Sequence, residues 1–458
     1  MKKKFFTVIS VQLFTAVLYF ISLPILFRFM GAVEFAIYNL SLTILILLNY
    51  LNFGVPQYVF SAIGSSKPID IKSPIIPGAI YTNFFIGCFL SFLLFLSNDI
   101  IVPSSKSGYA YISWLMCVTP FVMATLVLRA TLEGFADFKR ASLLRAALNL
   151  SFLVVPIGWV IGFGNIFVII GHVFILSCIF VAFSRNLNLH IFHKGIFKSN
   201  VFKQIFIGGW PFFIISLCSM LLYYSDRYIL PHFSDLAIIG AYLLIYDTLT
   251  RESIIFGALG QIIYTELSGV PENHVFSGIQ LFTKPILYCH SSIMAIIVLF
   301  CEPLASFTEL NDHEFIAIAI IIMSGLYGNI ICTIFGKGLI FIGKEKTYSN
   351  IFFKETLYLY PVLFYLIYAF GVFGVSIFFL TRSTIEAVWV LVECEYKMIE
   401  ILKMYYPLLF VLSISSVYLY LDEIFLFPTI LSILLHILTF LVTLLYLKMA
   451  YKKLNLGL

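Results

Sequence analysis

Residues 1–27, MKKKFFTVISVQLFTAVLYFISLPILF, decide which solvent this chain folds in. Lys2, Lys3 and Lys4 followed by apolar residues have the opening of a secretory signal. A signal core, however, is only about 7–15 apolar residues long and ends at a small-residue cleavage site. Here the run continues to Phe27 and no A-x-A site follows. About 20 apolar residues at 1.5 Å each cross the hydrocarbon of a bilayer. The stretch therefore predicts a first transmembrane helix, its N-terminus held on the cytoplasmic side by three lysines.

The composition extends that reading to the whole chain. Of 458 residues, 61% are hydrophobic and 17% aromatic, and the mean hydropathy is +1.03. Charged residues make up 11%, less than half the roughly 25% of a soluble domain. So few charges cannot cover so much apolar surface in water, which excludes a cytoplasmic enzyme, a secreted disulfide scaffold and a disordered regulator. The eight cysteines lie in or beside apolar runs without a CxxC pair, the pattern of small core residues rather than of a zinc site or disulfide framework. Gly338 to Lys344 matches GxxxxGK, but Glu345 replaces the Ser or Thr of a phosphate loop and the intervening residues are apolar.

Apolar runs fall near 5–28, 35–63, 75–97, 108–131, 143–163, 165–185, 205–231, 237–265, 283–305, 314–338, 350–369, 371–392, 403–421 and 424–447. They predict an all-α polytopic membrane protein of about fourteen transmembrane helices. Very short connectors occur at Gly162-Phe163-Gly164-Asn165 and around Phe370-Gly371. With both termini cytoplasmic, every Lys and Arg except Arg28, Lys106 and Arg227 falls at the cytoplasmic side, once mid-helix Arg251 and Arg382 are assigned to their nearer loops. That asymmetry supports the orientation and an even number of spans. No connector is long enough for a soluble catalytic domain, so no enzyme activity is expected. The basic stretch from His190 to Lys203 reads as a topology determinant at the anionic inner leaflet.

The chain also aligns with itself at an offset near 204, with Phe29 on Phe233, Tyr38 on Tyr242 and Gln57 on Gln261. Two six-helix lobes follow, 1–200 and 201–400, with two extra helices and a cytoplasmic tail in 401–458. Because six is even, the lobes share one orientation, as parallel transporter repeats do. A cleft between such lobes is the natural place for a translocated molecule.

Ionisable residues inside the membrane mark that cleft, because each costs free energy unless it is paired or hydrated. Arg251 is about 21 Å into its run at 1.5 Å per residue, with Asp247 one turn earlier and Glu252 adjoining it. Arg382 and Glu386 repeat the i, i+4 arrangement near mid-helix, Asp226 and Arg227 lie in the outer part of the seventh run, and Arg28 lies near the outer end of the first. Arg28, Arg227, Arg251 and Arg382 are therefore the substrate candidates, since guanidinium donates two parallel hydrogen bonds to phosphate. Asp226, Asp247, Glu252 and Glu386 are the ion-coupling or charge-balancing candidates. Structural ion pairing between packed helices is the competing reading of these charges. His172, His290 and His436, isolated in apolar runs, read as helix–helix hydrogen-bond donors. No metal site and no cofactor are expected; the acids leave coupling to a proton or sodium gradient open.

Several segments resemble motifs of polysaccharide flippases of the multidrug/oligosaccharidyl-lipid/polysaccharide (MOP) exporter superfamily. Pro24 to Tyr38, with Arg28, Gly31 and Glu34, resembles the first inter-helix motif. Leu128 to Lys139, with Arg129, Glu133 and Gly134, resembles the loop after the fourth helix. Trp210-Pro211 to Tyr224, then Ser225 to Leu230 and Gly240-Ala241-Tyr242, is similar to the start of the second lobe, and Gly371 to Gly374 fits the eleventh-to-twelfth connector. The resemblance covers most of the chain and is carried by the order and spacing of short motifs. It implies a V-shaped pair of lobes that opens alternately to either face of the bacterial inner membrane. For the O-antigen (Wzx) type, the implied cargo is an undecaprenyl-diphosphate-linked repeat unit moved from the cytoplasmic to the periplasmic leaflet. Implied partners are membrane lipids, the O-antigen polymerase and the chain-length machinery, with no nucleic acid. A lipid II flippase and a cation-coupled drug antiporter share this architecture and remain the alternatives.

Overall fold

A chain dominated by Leu, Ile and Phe in lipid has one local solution, because each backbone N–H and C=O must be satisfied within its own segment. The computed structural model describes residues 2–64, 73–96, 106–186, 199–250, 272–299 and 312–425, and its regular elements there are helices. In chain order they are α1 (Lys2–Met30), α2 (Ala32–Tyr50), α3 (Val55–Gly64), α4 (Ile75–Leu96), α5 (Lys106–Gly134), α6 (Phe138–Val160) and α7 (Asn165–Asn186). Then follow α8 (Ser199–Tyr224), α9 (Asp226–Ile229) with a 3-10 turn at Leu230–His232, α10 (Leu236–Thr250), α11 (Glu272–Leu299), α12 (Asp312–Phe341), α13 (Glu345–Glu393) and α14 (Met398–Phe425). Among the described residues, nine helices are long and apolar enough to cross a membrane. The predicted run 424–447 lies almost wholly outside them, and those at 237–265 and 283–305 are described only to Thr250 and Leu299. The chain divides into two compact units, Met1–Leu243 and Leu244–Leu458.

The breaks between helices have local causes. Gly31, at φ 79, separates α1 from α2. The run read from sequence as one span over 35–63 is instead two helices, because Phe53 and Gly54 both adopt positive φ (53 and 69). The Asn52 side chain accepts from the Gly54 N–H at 2.9 Å and closes this turn. Its purpose is packing: the backbone of Gly54 and Phe53 lies directly against that of Gly209 in α8, where a Cβ on either glycine would collide with a carbonyl oxygen. The Phe53 ring then stacks on Phe213, with centroids 4.7 Å apart. Within the seventh run the ladder is interrupted after Tyr224, where the Ser225 hydroxyl donates back to the Leu221 carbonyl, a bond that competes with the helix. The connector at 162–164 forms as expected, with Gly162 at φ 93.

α13 is two helices joined at Gly371, whose φ of 54 and ψ of −128 suit no L-residue side chain. Glu355 and Glu386 are 31 positions apart, roughly 46 Å along a straight helix, yet they lie within electrostatic reach of one another. The two arms must therefore fold back side by side. In the first arm Tyr348, Phe352, Glu355, Leu359, Leu363 and Ile367 are buried at helical spacing, while Phe353, Leu357, Tyr358, Tyr365 and Tyr368 are exposed on the face available to lipid.

The interior of the first unit is tied by directional hydrogen bonds. Trp114 of α5 donates from Nε1 to His172 Nδ1 of α7 at 2.8 Å, which leaves the other ring nitrogen, 3.1 Å from the Ser151 hydroxyl of α6, to carry the proton. His290 of α11 donates to the Met323 carbonyl of α12 at 2.9 Å in the second unit. Both histidines thus serve as helix–helix donors, bonds worth about 0.6 kcal/mol on average in bilayers. His436 lies outside the described residues. The seven cysteines described form no disulfide with one another.

Candidate functional site

The charged positions separate into three groups. At the ends of α5 and α6, Glu133 Oε1 meets Arg145 Nη2 at 2.8 Å and Arg129 Nε at 3.5 Å. Ala136, at φ 56, turns the chain, and Asp137 caps α6 by accepting from the Arg140 N–H at 3.2 Å. This is the segment whose order of Arg, Glu, Gly and Asp carries the second sequence motif. It builds a one-acid, two-arginine cluster at a helix corner, beside Gly134, whose missing Cβ admits Ile63 of α3.

The second group lies at the α8–α9 break. Asp226 and Arg227 are both buried, at 6% and 4% exposure. Arg227 Nη1 donates to Thr43 Oγ1 of α2 at 2.9 Å, and its guanidinium carbon sits 5.8 Å from the Tyr224 ring centroid. A buried arginine costs at least about 2.5–3.5 kcal/mol on insertion scales, and Thr43 together with the aromatic face offsets part of that. One turn before Thr43, Asn39 is fully buried and its Oδ1 receives no hydrogen bond. Thr43 and Asn39 read from sequence as ordinary polar interruptions of α2; their distance of about 180 positions from Arg227 hides the pairing.

The third group is in the second unit. Arg382 and Glu386 occupy one face of the second arm of α13, at 1% and 0% exposure. Arg382 Nη2 donates to Ser383 Oγ at 3.3 Å, and its guanidinium lies over the Phe379 ring at 5.2 Å. The Cys332 thiol of α12 donates to Glu386 Oε1, and the Tyr348 hydroxyl lies 3.6 Å from the same sulfur. Glu355, from the first arm, completes the set: it is fully buried, within reach of both Glu386 and Arg382, and neither carboxylate oxygen has a hydrogen-bond partner. The bend accounts for the juxtaposition. Glu355 stands 16 residues before Gly371 and Glu386 15 after it, about 24 and 22 Å along their arms, which is the same depth.

Of the residues singled out by sequence, then, Arg382 and Glu386 come together, and so do Asp226 and Arg227. Asp247 is buried on α10, next to Tyr246, whose ring packs edge-on against Phe379 at 5.5 Å. Arg28 is exposed in the last turn of α1, where a cation complements the helix C-terminus. Arg251 and Glu252 lie outside the described residues. Glu355 was missed because it stands near the start of the run 350–369, beside Lys354, which was counted at the cytoplasmic side; the signal was available in its i, i+4 spacing with Ile351 and Leu359 on the apolar stripe. Among the described residues no group of three or more His, Cys, Asp or Glu has metal-holding geometry.

Comparison with known proteins places this arrangement. The profile of the family described as polysaccharide biosynthesis protein matches residues 1–264. No curated protein matches the chain by sequence. Among solved structures, the lipid II flippase MurJ in an inward closed conformation superposes with a TM-score of 0.71 at 16% identity, covering 98% of this chain and 99% of that one. The Vibrio cholerae MATE transporter VcmN in its bent form gives 0.63 at 14% identity over 85% and 95%. An outward-facing multidrug resistance MATE family transporter of the MOP superfamily gives 0.64 at 12% identity over 85% and 94%. At these identities the likeness is one of fold, that of MOP transporters. Because the family profile covers more than half of the chain, the chain belongs to the polysaccharide biosynthesis protein family.

Proposed function

We propose that this multi-pass membrane protein is a flippase for a lipid-linked saccharide, an undecaprenyl-diphosphate-linked O-antigen or related repeat unit. It carries the headgroup from the cytoplasmic to the periplasmic leaflet of the bacterial inner membrane by alternating access. The observation that carries this reading is the family match over residues 1–264, joined to a MOP-type fold. The physics supports it: a diphosphate with attached sugars needs buried donors while its prenyl tail stays in lipid. Arg227 is the donor we assign to the headgroup, because it is held inside the first unit by Thr43 where the helix ladder is interrupted. Arg28, exposed at the end of α1, meets the anionic group before it is enclosed.

Deleting the gene in its own host and staining extracted lipopolysaccharide tests the proposal. Loss of the long-chain ladder is expected, with restoration by the intact gene and not by Arg227→Ala at equal membrane level. An unchanged ladder would remove the O-antigen cargo. The buried carboxylates of the second unit favour one second reading, a cation-coupled drug antiporter. Drug resistance on overexpression, without any change in the ladder, would replace the flippase by that activity.

A further inference from the structure

The surface of the first unit carries two apolar stripes that end in cations at one depth. On α6, Leu143, Val154 and Ile157 are exposed, and Ala147 and Leu150, half-buried, continue the same face between them at three- and four-residue spacing. On α7, Phe167, Ile170, Phe174 and Val181 are exposed with that spacing. The two helices pack against one another and are joined at 161–164. An exposed apolar face on a helix that crosses a bilayer meets acyl chains. At its far end each stripe becomes cationic. Lys139 and Arg140 stand one turn before Leu143, Arg185 stands one turn after Val181, and all three are exposed. Arg140 is 22 residues before Gly162 and Arg185 is 21 after Gly164, about 33 and 32 Å along their helices. The hydrocarbon of a bilayer is about 30 Å thick, so with the connector at one interface these cations reach the headgroup layer of the other. Asp137 pairs with Arg140 at 3.2 Å and still leaves that guanidinium exposed.

We infer that this face of α6 and α7 is a binding surface for anionic phospholipids, with Lys139, Arg140 and Arg185 holding headgroup phosphates and the two stripes receiving the acyl chains. The cations select among the lipids of that leaflet. A phosphodiester without its own ammonium keeps its full attraction to the basic side chains, whereas a zwitterionic headgroup brings a cation against them. Two of the three positions are arginine, whose guanidinium donates two parallel hydrogen bonds to one phosphate. A free phosphate ion has no acyl chains, so the stripes give it nothing and the exposed cations hold it weakly in water. This lipid contact depends on neither the cargo nor the direction of transport proposed above.

Native mass spectrometry of the purified full-length protein tests the surface. From an equimolar mixture of phosphatidylglycerol and phosphatidylcholine with identical chains, the wild type should retain phosphatidylglycerol at least about fivefold more. The triple variant Lys139→Gln, Arg140→Gln, Arg185→Gln should lose that preference while retaining phosphatidylcholine as the wild type does, which also reports that it is folded. Of the single changes, Arg140→Gln should have the smallest effect, because Asp137 already engages that side chain, and Lys139→Arg should keep the preference. Lys203, exposed on α8, which packs against α2, α3 and α4, is the control, and Lys203→Gln should match the wild type. Inorganic phosphate should not displace the retained lipid. Equal retention of the two lipids by the wild type, an undiminished preference in the triple variant, or the same loss in Lys203→Gln would overturn the site. Displacement by inorganic phosphate would overturn phospholipid as its occupant.

Discussion

Two clusters of three charged residues in this molecule are near mirror images in composition and opposite in setting. Glu133 with Arg129 and Arg145 is one acid and two bases at a helix corner, where Arg129 retains 32% side-chain exposure. Glu355 and Glu386 with Arg382 are two acids and one base more than 20 Å along the arms of a bent helix, with none of the three above 1% exposure. At the corner the partly exposed Arg129 keeps contact with solvent, while Glu133 and Arg145, at 6% and 15% side-chain exposure, fasten α5 to α6. In the interior all three side chains are shielded from solvent. There each charge depends on its packed neighbours, and removing one of them costs more than at the corner. Position along the helix, not composition, decides which role a charge cluster takes.

The largest effect expected from breaking this contrast is at Arg382. Arg382→Ala strands buried acids, and removal of one partner of a buried pair costs about 3–5 kcal/mol. Thermal unfolding in detergent should show it as the strongest destabilisation in the series. Arg145→Ala at the corner removes one charged hydrogen bond, worth about 1.5–3 kcal/mol, and the same measurement should rank it second. Asp137→Ala deletes the α6 cap and should cost about 1 kcal/mol. Arg140→Ala, whose 3.2 Å pair with Asp137 is at a side chain 47% exposed, should cost under about 0.5 kcal/mol, and added salt should shrink that cost further. An Arg145 effect equal to that of Arg382 would erase the distinction between corner and interior.

Much of this architecture was legible in the residues. Runs of about 20 apolar side chains, Gly31, the Gly162 to Asn165 connector and Gly371 each announce a helix or its end by length or by backbone freedom. The Arg382–Glu386 pair was visible as an i, i+4 interruption of an apolar run. The turn at 51–54 was not, because Leu51 and Phe53 keep the run apolar and the cause of the break is a backbone approach by Gly209, more than 150 positions away. Thr43 could not be matched to Arg227 for the same reason. Glu355 was hidden differently: the helix begins at Glu345 rather than near 350, and a few residues of error moved a buried acid to the membrane edge. Hydropathy locates a span well and its ends poorly, and a charge near an end is where that error changes the chemistry.

The most direct test of the account is movement of the cargo by the purified protein. Proteoliposomes loaded with a fluorescent polyprenyl-diphosphate disaccharide, labelled on the sugar, would be exposed to a membrane-impermeant quencher. Wild-type vesicles are expected to exchange the labelled headgroup between leaflets, and Arg227→Ala vesicles, with protein incorporated equally, are not. A labelled headgroup that stays in its original leaflet in wild-type vesicles, under either direction of pH gradient, would contradict it.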